Sequence, residues 1–101
     1  MSTPRIRLPS RAAPGEIIEV RTLINHPMVT GVAASAPRDM LARFEASIDG
    51  VTLFDFAFEN GSAANPALSF PLRLERTSTI RFVWTHEDGR RFEAEETVQV
   101  G

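Results

Sequence analysis

Few side chains in this sequence are suited to catalysis or to metal binding. The 101 residues include two histidines but no cysteine and no tyrosine. Without cysteine the chain has no thiolate for nucleophilic attack, for a disulfide bond or for zinc binding. The two histidines fall on different predicted strands, and a structural metal site usually needs four ligands. We therefore predict no catalytic residue, no metal site and no cofactor.

The two histidines have simpler interpretations as structural residues. His26 ends a predicted strand just before Pro27, a position that suits either a strand terminus or a contact with a partner protein. His86 precedes a predicted turn, so we expect it at the surface beside a hairpin tip.

Most of the remaining charges are explained by solvated strand faces. Glu93 and Glu95 alternate along a predicted strand, where Arg81 of the neighbouring strand can pair with them. Arg5 and Arg7 are compatible with anion binding and equally with a solvated edge strand. Together with Glu96, the two glutamates are also compatible with an acidic site, and the solvated face is the favoured interpretation.

The longest strand signal covers residues 15–27 and organises the rest of the fold. Pro14-Gly15 opens it and Pro27 closes it, because proline cannot donate to a sheet. Apolar and uncharged residues alternate with charged Glu19 and Arg21, as in a strand with one dry face. The dry face contains Ile18, Val20, Thr22 and Ile24. Such a face needs a second sheet to cover it.

A first hairpin is predicted to turn at Asp49-Gly50. A two-residue loop would turn Phe54 and Phe56 outward, because a slip of one residue moves every side chain to the opposite face. A three-residue loop ending at Gly50 pairs Ser47 with Val51 and keeps the aromatic residues together. We therefore predict the three-residue loop. Its apolar face contains Phe44, Ala46, Thr52, Phe54 and Phe56, and its opposite face contains Arg43, Glu45 and Asp55.

A second hairpin is predicted to turn through the three residues that end at Gly89. This loop pairs Trp84 with Phe92, so the aromatic residues again share a face. The same register sets Ile80 opposite Glu96, which is a poor match. We expect either a bulge near Glu96 or the end of the core there.

Together these signals predict one domain, residues 1–101, that is all-β. Residues 5–8 form a short edge strand between prolines, and Pro71 marks another edge or a bulge. The sequence contains seven strand signals separated by turn signals. This pattern predicts an immunoglobulin-like β-sandwich of about seven mostly antiparallel strands. The predicted core contains Trp84, Phe82, Phe44, Phe54, Val20 and Leu72.

The composition argues against two classes of partner. The net charge of −2 and the pI near 5.6 disfavour nucleic acid, which is usually bound by a basic excess. No apolar run approaches the ~20 residues of a membrane helix, so no membrane partner is expected. The first nine residues lack the apolar region of a secretory signal.

Several segments, in order along the chain, are similar to one known family. They are P-R-I-R-L-P, G-E-I-I-E-V-R-T-L-I-N-H-P-M-V-T-G, R-F-E-A-S-I-D-G, A-A-N-P-A-L-S-F and F-V-W-T-H-E-D-G. The segment T-L-I-N-H-P-M-V-T-G is the most specific of them. On these segments the chain resembles the SoxZ family, small subunits of the carrier complex for thiosulfate oxidation.

This resemblance implies a non-catalytic subunit that forms a heterodimer with SoxY. In that family the partner carries sulfur intermediates on a cysteine of a flexible arm, and periplasmic sulfur-oxidation enzymes act on them. It also implies a periplasmic location, reached without a signal of the subunit's own by export with the signal-bearing partner. Self-association of the isolated chain stays open.

Two loops are candidates for the partner interface. One contains His26, Pro27 and Met28, where a stiff proline precedes an adaptable thioether. The other contains Asn65 and Pro66, where an amide can bond to a partner's backbone. Both loops are also explained as strand-ending turns. The alternative function is a generic immunoglobulin-like module that binds a protein or a glycan.

Overall fold

The computed structural model describes residues 3–26, 28, 40–58 and 64–101. Eight strands form two sheets that pack face to face, and this immunoglobulin-like sandwich confirms the predicted fold class. The strands are β1 (Pro4–Arg7), β2 (Arg11–Ala12), β3 (Ile17–Ile24), β4 (Leu41–Ile48), β5 (Val51–Ala57), β6 (Ala67–Arg73), β7 (Ser78–His86) and β8 (Arg91–Val100). One sheet has the order β1-β3-β6 and the other β2-β8-β7-β4-β5. Every pairing is antiparallel except that of β2 with β8.

The strand that the sequence did not predict is β2. Arg11 and Ala12 lie between the predicted edge strand and Pro14, and they pair with Gln99 and Val100. Backbone hydrogen bonds extend this pairing on both sides, from Gln99 N to Ser10 O at 2.9 Å and from Gly101 N to Ala12 O at 3.3 Å. The chain thus crosses from one sheet to the other and touches the edge of the second sheet.

The predicted organising strand is β3, the centre of the three-stranded sheet. Its side chains alternate strictly between exposed and buried, as the sequence pattern predicted. The neighbours β1 and β6 are both edge strands, which confirms the interpretation of residues 5–8 and of Pro71. Pro71 lies opposite Glu19 on an edge strand, where a missing backbone donor costs little.

The predicted loop of the first hairpin is wrong. The turn has two residues, since Ile48 pairs with Val51, and both Asp49 and Gly50 have positive φ. That conformation matches the twist of the flanking strands better than a longer loop. The register then shifts between Ala46 and Ser47, which leaves Leu53 unpaired.

A two-residue loop alone would turn Phe54 and Phe56 to the outer face of the sheet, and the bulge reverses this. Beyond it Ala46 pairs with Phe54 and Phe44 with Phe56, so these aromatic residues still share one face. Thr52, placed on that face from the sequence, pairs with Ser47 instead. The opposite face is as predicted, with an ion pair between Arg43 and Asp55.

The second hairpin confirms the predicted register. Trp84 pairs with Phe92, and the turn is closed by a bond from His86 N to Arg90 O at 2.8 Å. Ile80 does pair with Glu96, but neither predicted consequence follows. The register of β7 and β8 shifts nowhere, and Val98 further on is fully buried. Glu96 is exposed, although Ile80 opposite it is fully buried.

The core lies between the two sheets. Five of the six predicted core residues are buried, and Phe54 is half-buried against them. The rings of Phe44 and Trp84 lie 4.8 Å apart within one sheet, and those of Phe54 and Phe70 stack at 4.5 Å across the two. Among the residues described above, no helix has the length and apolarity needed to cross a membrane.

Candidate partner-binding site

The structure brings the two predicted interface loops together. His26 follows β3 and Asn65 precedes β6, and they form a two-way hydrogen bond. The His26 N–H donates to Asn65 Oδ1 at 2.9 Å, and the Asn65 N–H donates to the carbonyl oxygen of His26 at 2.7 Å. Asn65 has φ 50°, a left-handed conformation that asparagine adopts more readily than most residues. We call this pair the Asn65 latch.

The latch leaves part of the amide for other contacts. Asn65 is exposed and Pro66 half-buried, so this end of the candidate interface faces solvent. Asn65 also lines a groove of about 320 Å³ with Thr3, Arg5, Leu23 and Asn25. Its Oδ1 atom bonds to its own chain, so its role in holding the fold is established while its role in partner binding stays a prediction.

The other loop presents less to a partner than its sequence suggested. Met28 is only 6% exposed and belongs to the core, and its N–H donates to His26 Nδ1 at 3.2 Å. His26 is likewise buried. Pro27 lies outside the described residues. That these three residues contact a partner also stays a prediction.

The two histidines meet at this end of the sandwich. Their ring centroids lie 5.4 Å apart in an edge-to-face arrangement, and Phe92 lies 6.3 Å from His26. His86 is 5% exposed, so the expectation of a surface residue is wrong. It does adjoin the hairpin tip, where its Nδ1 accepts a bond from the Asp88 N–H at 3.1 Å.

The alternation of buried and exposed residues along the strands indicates that both histidines are buried at the same end of the sandwich. His86 continues the buried row of Ile80, Phe82 and Trp84, and His26 continues the buried row of β3. Both rows face the space between the sheets, so residues at the same end of each row come into contact. Within the described part of the chain, no three histidine, cysteine, aspartate or glutamate residues are grouped to hold a metal ion.

The hairpin tip beside His86 is a small electrostatic cluster. Asp88 accepts hydrogen bonds from the backbone N–H of Arg90 at 2.9 Å and from its Nε at 2.8 Å. The backbone bond, more than the guanidinium, lowers the pKa of Asp88 below its ordinary value of 3.8. The Arg90 guanidinium lies 6.0 Å from the Phe92 ring, so the tip packs back onto β8.

The outer face of the three-stranded sheet is basic. A groove of about 540 Å³ crosses it, lined by Arg5, Arg7 and Arg21 among others. Arg21 forms an ion pair with Glu19 at 2.5 Å. The solvated edge strand predicted around Arg5 and Arg7 is present as β1.

Large apolar side chains are exposed on both sheets. Ile17 and Leu23 lie on β3, and Val51, Leu53 and Phe56 lie on β5. The exposed fractions reach 63% at Val51 and 60% at Ile17.

Several solved structures share this fold. A superoxide reductase (neelaredoxin) from Ignicoccus hospitalis has a TM-score of 0.78 at 23% identity, over 98% of this chain and 80% of that chain. The sulfur carrier protein SoxY from Chlorobium limicola f thiosulfatophilum has a TM-score of 0.71 at 15% identity, over 97% of this chain and 78% of that chain. The CARDB domain of a Pyrococcus furiosus protein, in complex with di-metal ions, has a TM-score of 0.63 at 14% identity, over 100% of this chain and 88% of that chain. At these identities the likeness concerns the fold alone.

The sequence comparisons are more specific. No curated protein matches the chain. The family described as "Sulphur oxidation protein SoxZ" matches residues 6–97, from the first strand of the sandwich to the last. The chain therefore belongs to the SoxZ family and is a subunit of the Sox sulfur-oxidation system.

Proposed function

We propose that this chain is a non-catalytic subunit of the sulfur carrier complex in thiosulfate oxidation. It pairs with a SoxY-type partner, and a cysteine of that partner carries the sulfur intermediates. The family match over residues 6–97 is the observation that carries this proposal.

The inventory of reactive groups supports a non-catalytic role. A covalently carried sulfur intermediate needs a sulfur nucleophile, and the 101 residues contain no cysteine. The two histidines each accept a backbone hydrogen bond at Nδ1 and are buried against each other. They hold the end of the sandwich together and are poorly placed to meet a substrate.

The exposed surface supports a protein partner. A stable interface buries about 1,200–2,000 Å² in total, with a few central anchors. The exposed apolar residues of β5, Val51, Leu53 and Phe56, are candidate anchors of this kind. The sandwich of SoxY from Chlorobium limicola is like this one, so two related domains would pair.

The place of action is a further part of the proposal. The chain acts in the periplasm and is exported with its signal-bearing partner. Other sulfur-oxidation enzymes meet it through the complex. Membership of the SoxZ family is the ground for proposing this location.

Co-expression with the cognate SoxY-type subunit tests the function. We expect the two chains to co-purify at 1:1 stoichiometry, and we expect thiosulfate oxidation by the reconstituted system to require both. The isolated chain should not oxidise thiosulfate. A SoxY-type subunit that never co-purifies with the parent chain would refute the proposal.

A further inference from the structure

The free edge of the five-stranded sheet is the strand β5. It pairs with β4 on one side, and no other described strand pairs with its opposite side. Its seven residues contain no proline and a single charge, Asp55, which pairs with Arg43 of the same chain. Every residue of β5 except Phe54 is exposed. This edge is therefore long, apolar and electrically neutral.

The other described edges carry features that discourage strand pairing. β1 has four residues, begins at Pro4 and carries Arg5 and Arg7, and β6 contains Pro71. β2 has two residues, and the part of β8 beyond it has four charged side chains, Arg91, Glu93, Glu95 and Glu96. Proteins protect unused edges in these ways, because unpaired backbone groups recruit other strands. β5 has a bulge at Leu53, but among these described edge strands it is the one with neither a proline nor an unpaired charge.

The backbone of β5 is oriented to receive another strand. Phe58 N donates to the carbonyl oxygen of Ala42, which fixes that N–H toward β4 at 2.9 Å. Backbone groups alternate along an antiparallel strand, so the N–H groups of Asp55 and Ala57 point away from β4. These two donors face the open side of the sheet.

The five-stranded sheet also extends beyond its cover. Phe54 of β5 stacks on Phe70 of the edge strand β6, and the three-stranded sheet ends there. Phe56, on the same face, is 38% exposed and contacts Phe58 at 5.3 Å between ring centroids. An added strand would thus find apolar side chains as well as backbone donors.

We propose that β5 is the docking edge for the sulfur-carrying subunit, which adds its own edge strand to form one continuous sheet across the two chains. This inference rests on the proposed function. The occupant is the SoxY-type partner of the proposed function, and SoxY of Chlorobium limicola has a comparable sandwich over 97% of this chain. A strand held in a folded domain loses little conformational entropy on docking.

The sharpest test removes one outward donor. Ala57→Pro deletes an N–H that does not bond to β4, so the fold should tolerate it as an edge proline. Leu53→Lys sets a charge on the same edge and serves as the second variant. Calorimetry with the cognate SoxY-type subunit should show at least about a tenfold loss of affinity for each folded variant. Ile17→Lys places the same charge on an exposed apolar residue of the other sheet, and it should bind within about twofold of the parent.

Hydrogen exchange on the parent chain provides a second readout. The amides of Asp55 and Ala57 should become protected when the partner is added, even if Ala57→Pro proves unstable.

Parental affinity of both variants together with unchanged exchange at these amides would overturn the proposal for β5 and leave the proposed function standing. Loss of binding by Ile17→Lys alone would place the interface on the three-stranded sheet. Protection that requires only a second copy of this chain would make β5 a self-association edge, which also overturns the proposal. A parent that does not bind the subunit at all would refute the proposed function itself.

Discussion

The imidazole rings of His26 and His86 lie edge to face with their centroids 5.4 Å apart, although His26 follows a strand of one sheet and His86 ends a strand of the other. Each ring accepts a backbone N–H from the loop that follows it, His26 from Met28 and His86 from Asp88. The pair thereby joins the end of β3 to the tip of the second hairpin. The two polar rings thus lie at the end of the core, where the buried apolar residues of β3 and β7 end.

This contact predicts an energetic coupling between the two residues. His86→Ala should lower the free energy of unfolding by about 1–3 kcal/mol, because it leaves the Asp88 N–H without its acceptor. Combined with His26→Ala, the double-mutant cycle should give a coupling of about 0.5–3 kcal/mol. Urea unfolding measures both. Ile17→Ala, nine residues from His26 along an extended chain, should combine with His26→Ala additively within about 0.5 kcal/mol.

The same pair predicts that the isolated protein binds no stoichiometric metal. Both Nδ1 atoms accept backbone hydrogen bonds, and the described residues contain no group of three histidine, cysteine, aspartate or glutamate side chains that could hold a metal ion. Elemental analysis of protein purified without chelators should find well under one equivalent of zinc or iron. One full equivalent, lost in His26→Ala, would contradict this expectation.

The Asn65 latch predicts different outcomes for two substitutions. Asn65→Ala removes the acceptor for the His26 N–H and forces alanine into a left-handed conformation, so it should cost about 1–3 kcal/mol. Asn65→Asp keeps an acceptor and tolerates positive φ, so it should cost less. Denaturant unfolding compares them. Equal losses in the two variants would show that Oδ1 does not hold the latch.

The sequence predicted the second hairpin better than the first for a physical reason. In the second, the three-residue loop satisfies both the turn and the facing of Trp84 and Phe92. In the first, Asp49-Gly50 favours a tighter turn, and a bulge at Leu53 restores the facing further along the strand. A bulge inside a strand has little local sequence signal, so register reasoning placed the extra residue in the loop.

The candidate site was only partly predictable for a related reason. Residue type suggested that His86 is exposed, whereas its position in the row of Ile80, Phe82 and Trp84 required burial. The proximity of His26 and Asn65 depends on the pairing of β3 with β6, which no local pattern specifies. Exposure of the β5 edge depends on the order of strands in the sheet, and that order is a property of the whole fold.

The core predicts a large effect at Phe82, which is fully buried. Phe82→Ala should lower the free energy of unfolding by about 3–5 kcal/mol, since it removes packing and leaves a cavity beside Phe44. Phe56→Ala is the matched control, because that ring is 38% exposed, and it should cost under about 1 kcal/mol. Similar losses in the two variants would contradict this account of the core.

The lowered pKa of Asp88 predicts a pH-dependent contribution to stability. The Arg90 N–H and Nε stabilise the charged carboxylate in the folded state, so its folded pKa lies below the ordinary 3.8. A lowered folded pKa gives stability that is present above the unfolded pKa and is lost as the pH falls through the folded pKa. Asp88→Asn should therefore be less stable than the parent at about pH 7, and the difference should vanish as the pH falls below 3.8.

Urea unfolding at stepwise lower pH measures this difference. Asp49→Asn removes one charge from the other hairpin tip and controls for the change in net charge. A difference between Asp88→Asn and the parent that persists unchanged into strong acid would mean that the carboxylate charge is not its source.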